Sequence, residues 1–281
     1  MKYDSAKAHD GVKIRVARFE AIKPRGIVQI IHGFGEGLIH YIDVATFLSQ
    51  NGYTCVIHDQ RGFGEMSDLL QRQRRKARGV VPGYDYFIED IKTVSNQINH
   101  WYPDLPVILY GHSMGGNIAA NYLIRYGGSE KLILEAPWLR LCKPLPKFAT
   151  AVAGLLGRLS EKIAIDAKVN IDHISRDPEV NHSRRTDGIY HTRMSLRMYA
   201  QVVKAGEYAI TNAAKISVPT LLLCPGEDKI VCPDAIREFG SRANKNVEMV
   251  EYPGAYHCLH ADIIKSEVIE KILHFINTQS V

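Results

Sequence analysis

Val107-Ile108-Leu109-Tyr110-Gly111-His112-Ser113-Met114-Gly115-Gly116-Asn117-Ile118-Ala119-Ala120 is the stretch that decides the architecture. Four consecutive apolar residues read as a strand buried on both faces, and the small and apolar residues after Ser113 recur at helical spacing. Between them lies Gly-x-Ser-x-Gly, the sharp strand-to-helix turn that lifts a serine hydroxyl above the end of a sheet. Such a turn strains the serine backbone, and Gly111 and Gly115 leave space for strand and helix to approach each other. The helix that begins after Ser113 directs backbone N–H groups at any negative charge developing there. Ser113 is therefore the expected nucleophile.

Outward from this point the chain repeats one rhythm, a short apolar run followed by a longer stretch with helical spacing. Tyr53 to Ile57, Pro106 to Tyr110, Lys131 to Leu134, Thr220 to Cys224 and Val247 to Val250 read as strands. Val12, Ile14 and Val16 alternate with polar residues as in a half-buried strand, and Ile27 to Ile31 forms another. Phe87, Ile88, Ile91, Val94, Ile98 and Trp101 make one helical stripe, and Ile263, Ile264, Val268, Ile269, Ile272 and Leu273 a second. The pattern is that of a doubly wound α/β sheet. The rhythm stops between Pro137 and about Asn212, where no strand is expected and Phe148, Val152, Leu155, Leu156, Leu159 and Ile163 recur at helical spacing. The expected organisation is a core of residues 1–136 and 213–281 interrupted by a helical lid, 137–212.

The 281 residues are 46% hydrophobic and 23% charged, an ordinary globular composition that excludes collagen, coiled coil and wholesale disorder. With 35 basic and 30 acidic side chains the formal charge is +5, too small to argue for nucleic acid. Five cysteines with neither CxxC spacing nor a run of histidines read as reduced thiols, and neither metal nor cofactor is expected. The polar N-terminus lacks the apolar core of an export signal, so a cytoplasmic location is expected. The basic cluster Arg72, Arg74, Arg75, Lys76 and Arg78 reads as a solvated loop.

A serine needs a base that a carboxylate orients, and after a turn of this kind the two follow in the order carboxylate, histidine, each past a late strand. Thr220–Cys224 runs into Pro225-Gly226-Glu227-Asp228, and Val247–Val250 runs into Glu251-Tyr252-Pro253-Gly254-Ala255-Tyr256-His257. Asp228 and His257 are the choices, with Glu227, Asp234 and His260 as rivals. Met114, after the nucleophile, and Phe34, in the glycine-rich loop His32-Gly33-Phe34-Gly35-Glu36, supply the expected oxyanion N–H groups. His32 reads as a loop-holding residue, and Asp59-Gln60-Arg61-Gly62-Phe63-Gly64 as a structural turn.

HGFGEG at His32 to Gly37, DQRGFG at Asp59 to Gly64, GHSMGG at Gly111 to Gly116, GEDKIV at Gly226 to Val231 and GAYHCLH at Gly254 to His260 together resemble the monoacylglycerol lipase and lysophospholipase branch of the α/β-hydrolases. The resemblance implies an α/β-hydrolase fold with Ser113, Asp228 and His257 as the catalytic triad and Phe34 and Met114 as oxyanion donors. It also implies a monoacyl lipid ester as the small-molecule substrate. The lid stripe is expected either to guide acyl chains and make transient contact with a membrane surface or to pack as buried core. Gly37 and Met66 stand where many relatives carry His and Ser, a departure that bears on the substrate rather than the chemistry.

Overall fold

In a computed structural model, residues 1–65, 78–160 and 162–278 are described. In chain order the elements are β1 (Lys2–Lys7), β2 (Lys13–Phe19), β3 (Gly26–Ile31), α1 (Ile42–Gln50), β4 (Tyr53–His58), α2 (Tyr84–Trp101), β5 (Val107–His112), α3 (Met114–Tyr126) and β6 (Lys131–Glu135). They continue with α4 (Lys147–Leu159), β7 (Ala164–Asp166), α5 (Pro178–Thr186), β8 (Arg193–Ser195), α6 (Leu196–Thr211), β9 (Thr220–Pro225), α7 (Pro233–Arg242), β10 (Val247–Tyr252) and α8 (Lys265–Asn277). Eight strands form one sheet in the order β1-β2-β4-β3-β5-β6-β9-β10. From β4 to β10 all neighbours are parallel, and β2 joins β4 antiparallel.

Alternation along the strands explains the two cores. Leu109, Leu132, Leu134 and Leu222 pack with Ile88 and Ile91 of α2, Ile118 and Leu123 of α3 and Met198 and Val202 of α6. Their chain neighbours Ile108, Tyr110, Ile133, Leu221 and Leu223 face the other way, onto Val44 and Leu48 of α1 and Val268 and Ile272 of α8. Burial on both faces is why these strands read as continuous apolar runs. Ile263, assigned above to the C-terminal stripe, precedes α8 and is exposed.

Residues 137–212 depart from the expectation in two ways. Three-residue strands β7 and β8 pair antiparallel there, too short to carry a sequence signal. The apolar face of α6 is part of the core, whereas Phe148, Leu155 and Leu159 of α4 are 74%, 61% and 77% exposed. Met66 and Arg72 to Lys76 lie outside the described residues; Arg78 donates to the Gly188 carbonyl at 2.6 Å.

Candidate active site

The C-terminal ends of β3, β5, β9 and β10 converge, and the loops that leave them carry every expected site residue, as the geometry of open parallel sheets favours. Ser113 stands at the tip between β5 and α3 with φ 53°, left-handed backbone in a non-glycine residue. The strain is held by Ser113 N–H donating to Glu135 O at 2.9 Å, and by Asn117 and Trp138 N–H donating to Ser113 O at 3.1 and 2.8 Å. A Cβ on Gly111 would sit 2.5 Å from Gly115 O, and one on Gly115 would sit 2.0 Å from Ile31 O, so strand, turn and helix close only with glycine at both positions.

His257 Nε2 lies 2.9 Å from Ser113 Oγ, and its Nδ1 lies 2.7 Å from Asp228 Oδ2. The other carboxylate oxygen of Asp228 accepts from the N–H groups of Ile230 and Val231 at 2.7 and 3.0 Å, which fixes its orientation. Burial, the largest influence on His257, disfavours the imidazolium, but attraction to Asp228 outweighs it and raises the pKa above 6.5. The rivals lie elsewhere. Glu227 is exposed, Asp234 pairs with Arg237 in the first turn of α7, and His260 Nδ1 is 2.9 Å from Glu135.

The N–H of Met114 opens α3 and has no intrahelical acceptor, and the Phe34 N–H has no backbone acceptor among the described residues. Phe34 follows Gly33, whose Cβ position is 3.2 Å from Ser113 Cβ, so the loop passes directly over the serine. His32 accepts from Gln60 N–H at 2.9 Å and touches Gly33 O at 2.8 Å, the loop-holding role expected of it. Asp59 accepts from Leu38 N–H, and Arg61 binds Asp10 and Asp90, so the DQRGFG turn ties loops together. A Cβ on Gly37 would meet Gly64 Cα at 2.8 Å and Ile189 at 3.0 Å, which leaves no room for the His of many relatives.

Beneath Ser113 runs a buried polar layer that the sequence reading did not single out. Glu36 Oε2 accepts from Gly33 N–H at 2.8 Å and Tyr41 OH at 2.7 Å, and His112 Nδ1 is 3.0 Å from the same hydroxyl. Burial opposes ionisation of Glu36, yet His112 and Arg184 hold its carboxyl well below the usual range. Glu135, bound by Tyr110 and His260, is likewise brought down to about 2 against the effect of burial. Two triplets, Glu36–His112–Cys258 and His112–Glu135–His260, bring ligand-type atoms within 4.8 Å of one another. Hydrogen bonds to protein donors already occupy both carboxylates, so these are structural networks. Glu36 and His112 lay inside quoted motifs, whereas Arg184 and Glu135 carry no local signal.

Ser113 and His257 open into a cavity of about 670 Å³. Its walls include Phe34, Trp138, Leu141, Leu145, Ile165, Val169, Ile174 and Met194, with Lys143, Lys168 and Lys229 among its polar residues. None of the α4 residues Phe148, Val152, Leu155, Leu156 and Leu159 lines it, and all five are exposed, so the stripe is neither a wall of this cavity nor buried core.

The family described as "Serine aminopeptidase, S33" (Hydrolase_4) matches residues 22–263, and the chain belongs to this family of α/β-hydrolases. It is 31% identical over 255 residues to a putative monoglyceride lipase of Schizosaccharomyces pombe, covering 88% of this chain and 65% of that protein. It is 29% identical over 237 residues to the monoacylglycerol lipase of Mycolicibacterium smegmatis, covering 83% and 81%. A soluble variant of monoglyceride lipase from Saccharomyces cerevisiae, solved with a substrate analog, superposes with a TM-score of 0.86 at 23% identity, covering 99% of this chain and 96% of that one. The last similarity establishes the α/β-hydrolase fold, and the resemblance read from the motifs holds.

Proposed function

We propose that the chain is a serine hydrolase that cleaves the carboxylic ester of a monoacyl lipid, a monoacylglycerol or lysophospholipid, with Ser113, His257 and Asp228 as its triad. The observation that carries this reading is the Ser113–His257–Asp228 relay, at 2.9 and 2.7 Å, facing a mainly apolar cavity of about 670 Å³. Ser113 Oγ attacks the ester carbonyl while His257 Nε2 takes its proton, and Asp228 stabilises the imidazolium. The N–H groups of Phe34 and Met114 receive the negative charge of the tetrahedral intermediate. His257 then returns the proton to the departing alcohol, and water releases the acyl group from Ser113 by the same steps reversed. This chemistry calls on no cofactor.

The names of the fungal and mycobacterial relatives support a glyceride ester as substrate. A short-chain carboxylesterase or thioesterase would use the same relay but leave the far walls of the cavity unfilled. Peptidase activity of the kind in the family's name is less favoured, because residues 137–212 contribute one carboxylate, Asp166, to the described lining beside Lys143 and Lys168, and so no acidic cluster to hold a free amino terminus. Residues 137–212 are proposed as the lid over this site, with the exposed apolar face of α4 making transient contact with a membrane surface. No helix among the described residues is long and apolar enough to cross a membrane. A cytoplasmic, peripheral placement accords with this reading.

Two measurements test it. A panel of acyl esters varying in chain length and head group should show kcat/KM peaking at long monoacyl chains; a peak at two to four carbons would favour the short-chain esterase. Ser113→Ala should lower hydrolysis by about 10⁴-fold or more and abolish labelling by a fluorophosphonate. Labelling that survives the change would place the nucleophile elsewhere.

A further inference from the structure

We infer that residues 174–191, centred on α5, are not part of a moving flap but a brace that joins the loop carrying His257 to the loop carrying the Phe34 N–H, and that Arg184 is its positioning residue. The inference rests on the hydrolase reading above and assigns a role to a segment with no motif of its own.

At its first end the brace holds the histidine loop. Cys258, next to His257, donates its N–H to Ile174 O at 2.8 Å, and Ser175 Oγ donates to Ala261 O at 2.9 Å. Arg176 binds Asp262 through its backbone N–H at 2.9 Å and its guanidinium at 2.6 Å, and Asp262 is fully buried. Asp177 then caps α5 by accepting from Glu179 N–H, with Pro178 in the first turn, so the helix starts from a fixed point.

At its second end the same segment holds the oxyanion loop. His191 donates its N–H to Gly35 O at 3.1 Å, and a Cβ on Gly35, whose φ is +78°, would lie 2.4 Å from His191 O. The two backbones are thus in direct contact one residue beyond Phe34. His40 and Asp187 meet at 2.8 Å, and Asp187 also accepts from the N–H groups of Ile189 and Tyr190. The His191 ring stacks on Phe63, which packs edge-on against Phe34 itself.

Arg184 is the buried member of this second end. Its guanidinium is 3.4 Å from Glu36 Oε1, while Glu36 Oε2 accepts from Gly33 N–H at 2.8 Å. Arg184 therefore faces the carboxylate that clamps the residue before Phe34, and its Nε has no partner among the described residues. A guanidinium buried this deeply is costly unless its charge is matched, and Glu36 supplies that match. By contrast α4 packs on α6, and none of its large apolar residues reaches the cavity wall. The segment from Ile174 to His191 thus keeps base and oxyanion donor in register.

The test compares neighbours on one helix. Arg184→Gln removes the buried charge; Arg185→Gln removes an exposed one that, among the described residues, pairs with Asp172. With a soluble short-chain ester, Arg184→Gln is expected to lower kcat by about tenfold to a hundredfold with KM within about twofold, the scale of loss from misplacing a group by an ångström. Affinity for an alkyl boronic acid, which bonds to Ser113 and fills the oxyanion position, should fall by the same factor. Arg184→Lys should recover part of both, and Arg185→Gln should match the parent. If Arg184→Gln matches Arg185→Gln in kcat and boronate affinity, or changes KM alone, the brace is wrong. Should Arg184→Gln not fold, Asp187→Asn cuts the neighbouring tie and faces the same two outcomes. A parent protein that hydrolyses no ester would overturn the proposed reaction instead, so the two failures are distinct.

Discussion

Glu135 accepts both the backbone N–H of His260, at 3.0 Å, and a hydrogen bond from its ring Nδ1, at 2.9 Å, which pins this second histidine beneath the turn that bears Ser113. Tyr41 stacks on its ring at 4.6 Å. His260 is thereby committed to the core, three residues from the histidine that meets the serine.

The two histidines should therefore fail differently. His257→Ala is expected to lose activity as completely as Ser113→Ala, by about 10⁴-fold per folded molecule, and also to lower stability because buried Asp228 loses its ring partner. His260→Ala strips Glu135 of a principal partner and should lower stability by about 3 kcal/mol in urea unfolding, with the surviving folded fraction still labelled by a fluorophosphonate. Full activity in His257→Ala would move the base to His260.

The pH dependence follows from the sign of one shift. His257 must be neutral to accept the proton of Ser113, and Asp228 raises its pKa above 6.5 despite burial. The rate constant kcat/KM should rise with pH through that pKa, so the acid limb lies above the ordinary histidine value. Asp228→Asn removes the main attraction and leaves only the weaker pull of Glu36 and Glu135 against burial, so the limb should shift to lower pH while the plateau drops. A limb that stays in place in Asp228→Asn would separate the carboxylate from the titrating group.

Leu155 and Leu156 of α4 point outward, so changing both to Ser should leave the melting temperature and the hydrolysis of a soluble two-carbon ester nearly unchanged. Partition onto phospholipid vesicles should fall about tenfold or more, since each leucine transfers about 1.5 to 3 kcal/mol of apolar surface when buried. Vesicle co-sedimentation beside a thermal melt checks this. Undiminished partition would remove α4 from the membrane contact.

Arg61 reads as structural, and its burial makes the claim testable. It binds Asp90, a nearly fully buried carboxylate, and Asp10. Arg61→Leu should destabilise the fold by about 3 to 5 kcal/mol because Asp90 is left without its counter-charge. The kcat/KM of the folded fraction should be near that of the parent, measured by scaling to fluorophosphonate-titrated sites. A kcat/KM per titrated site that falls a hundredfold would give the turn a direct part in the chemistry.

Local chemistry wrote much of this molecule into its sequence. The apolar runs that became β3, β5, β6 and β9 are legible because a strand buried on both faces tolerates little else. Gly111 and Gly115 are legible because only glycine fits where a Cβ would touch backbone, and the pair frames Ser113. Asp228 and His257 follow from their places after β9 and β10, since parallel strands deliver their loops to one edge. What the sequence could not decide was which of several polar residues near those loops would meet. Glu36 lies 148 residues from Arg184 in the chain, and Glu135 lies 125 from His260, and no local period links such pairs. The outward face of α4 was equally out of reach, because an apolar stripe looks the same whether it meets a core, an acyl chain or water. Only the packing of α6 into the core, which leaves α4 outside it, determined that its stripe is exposed.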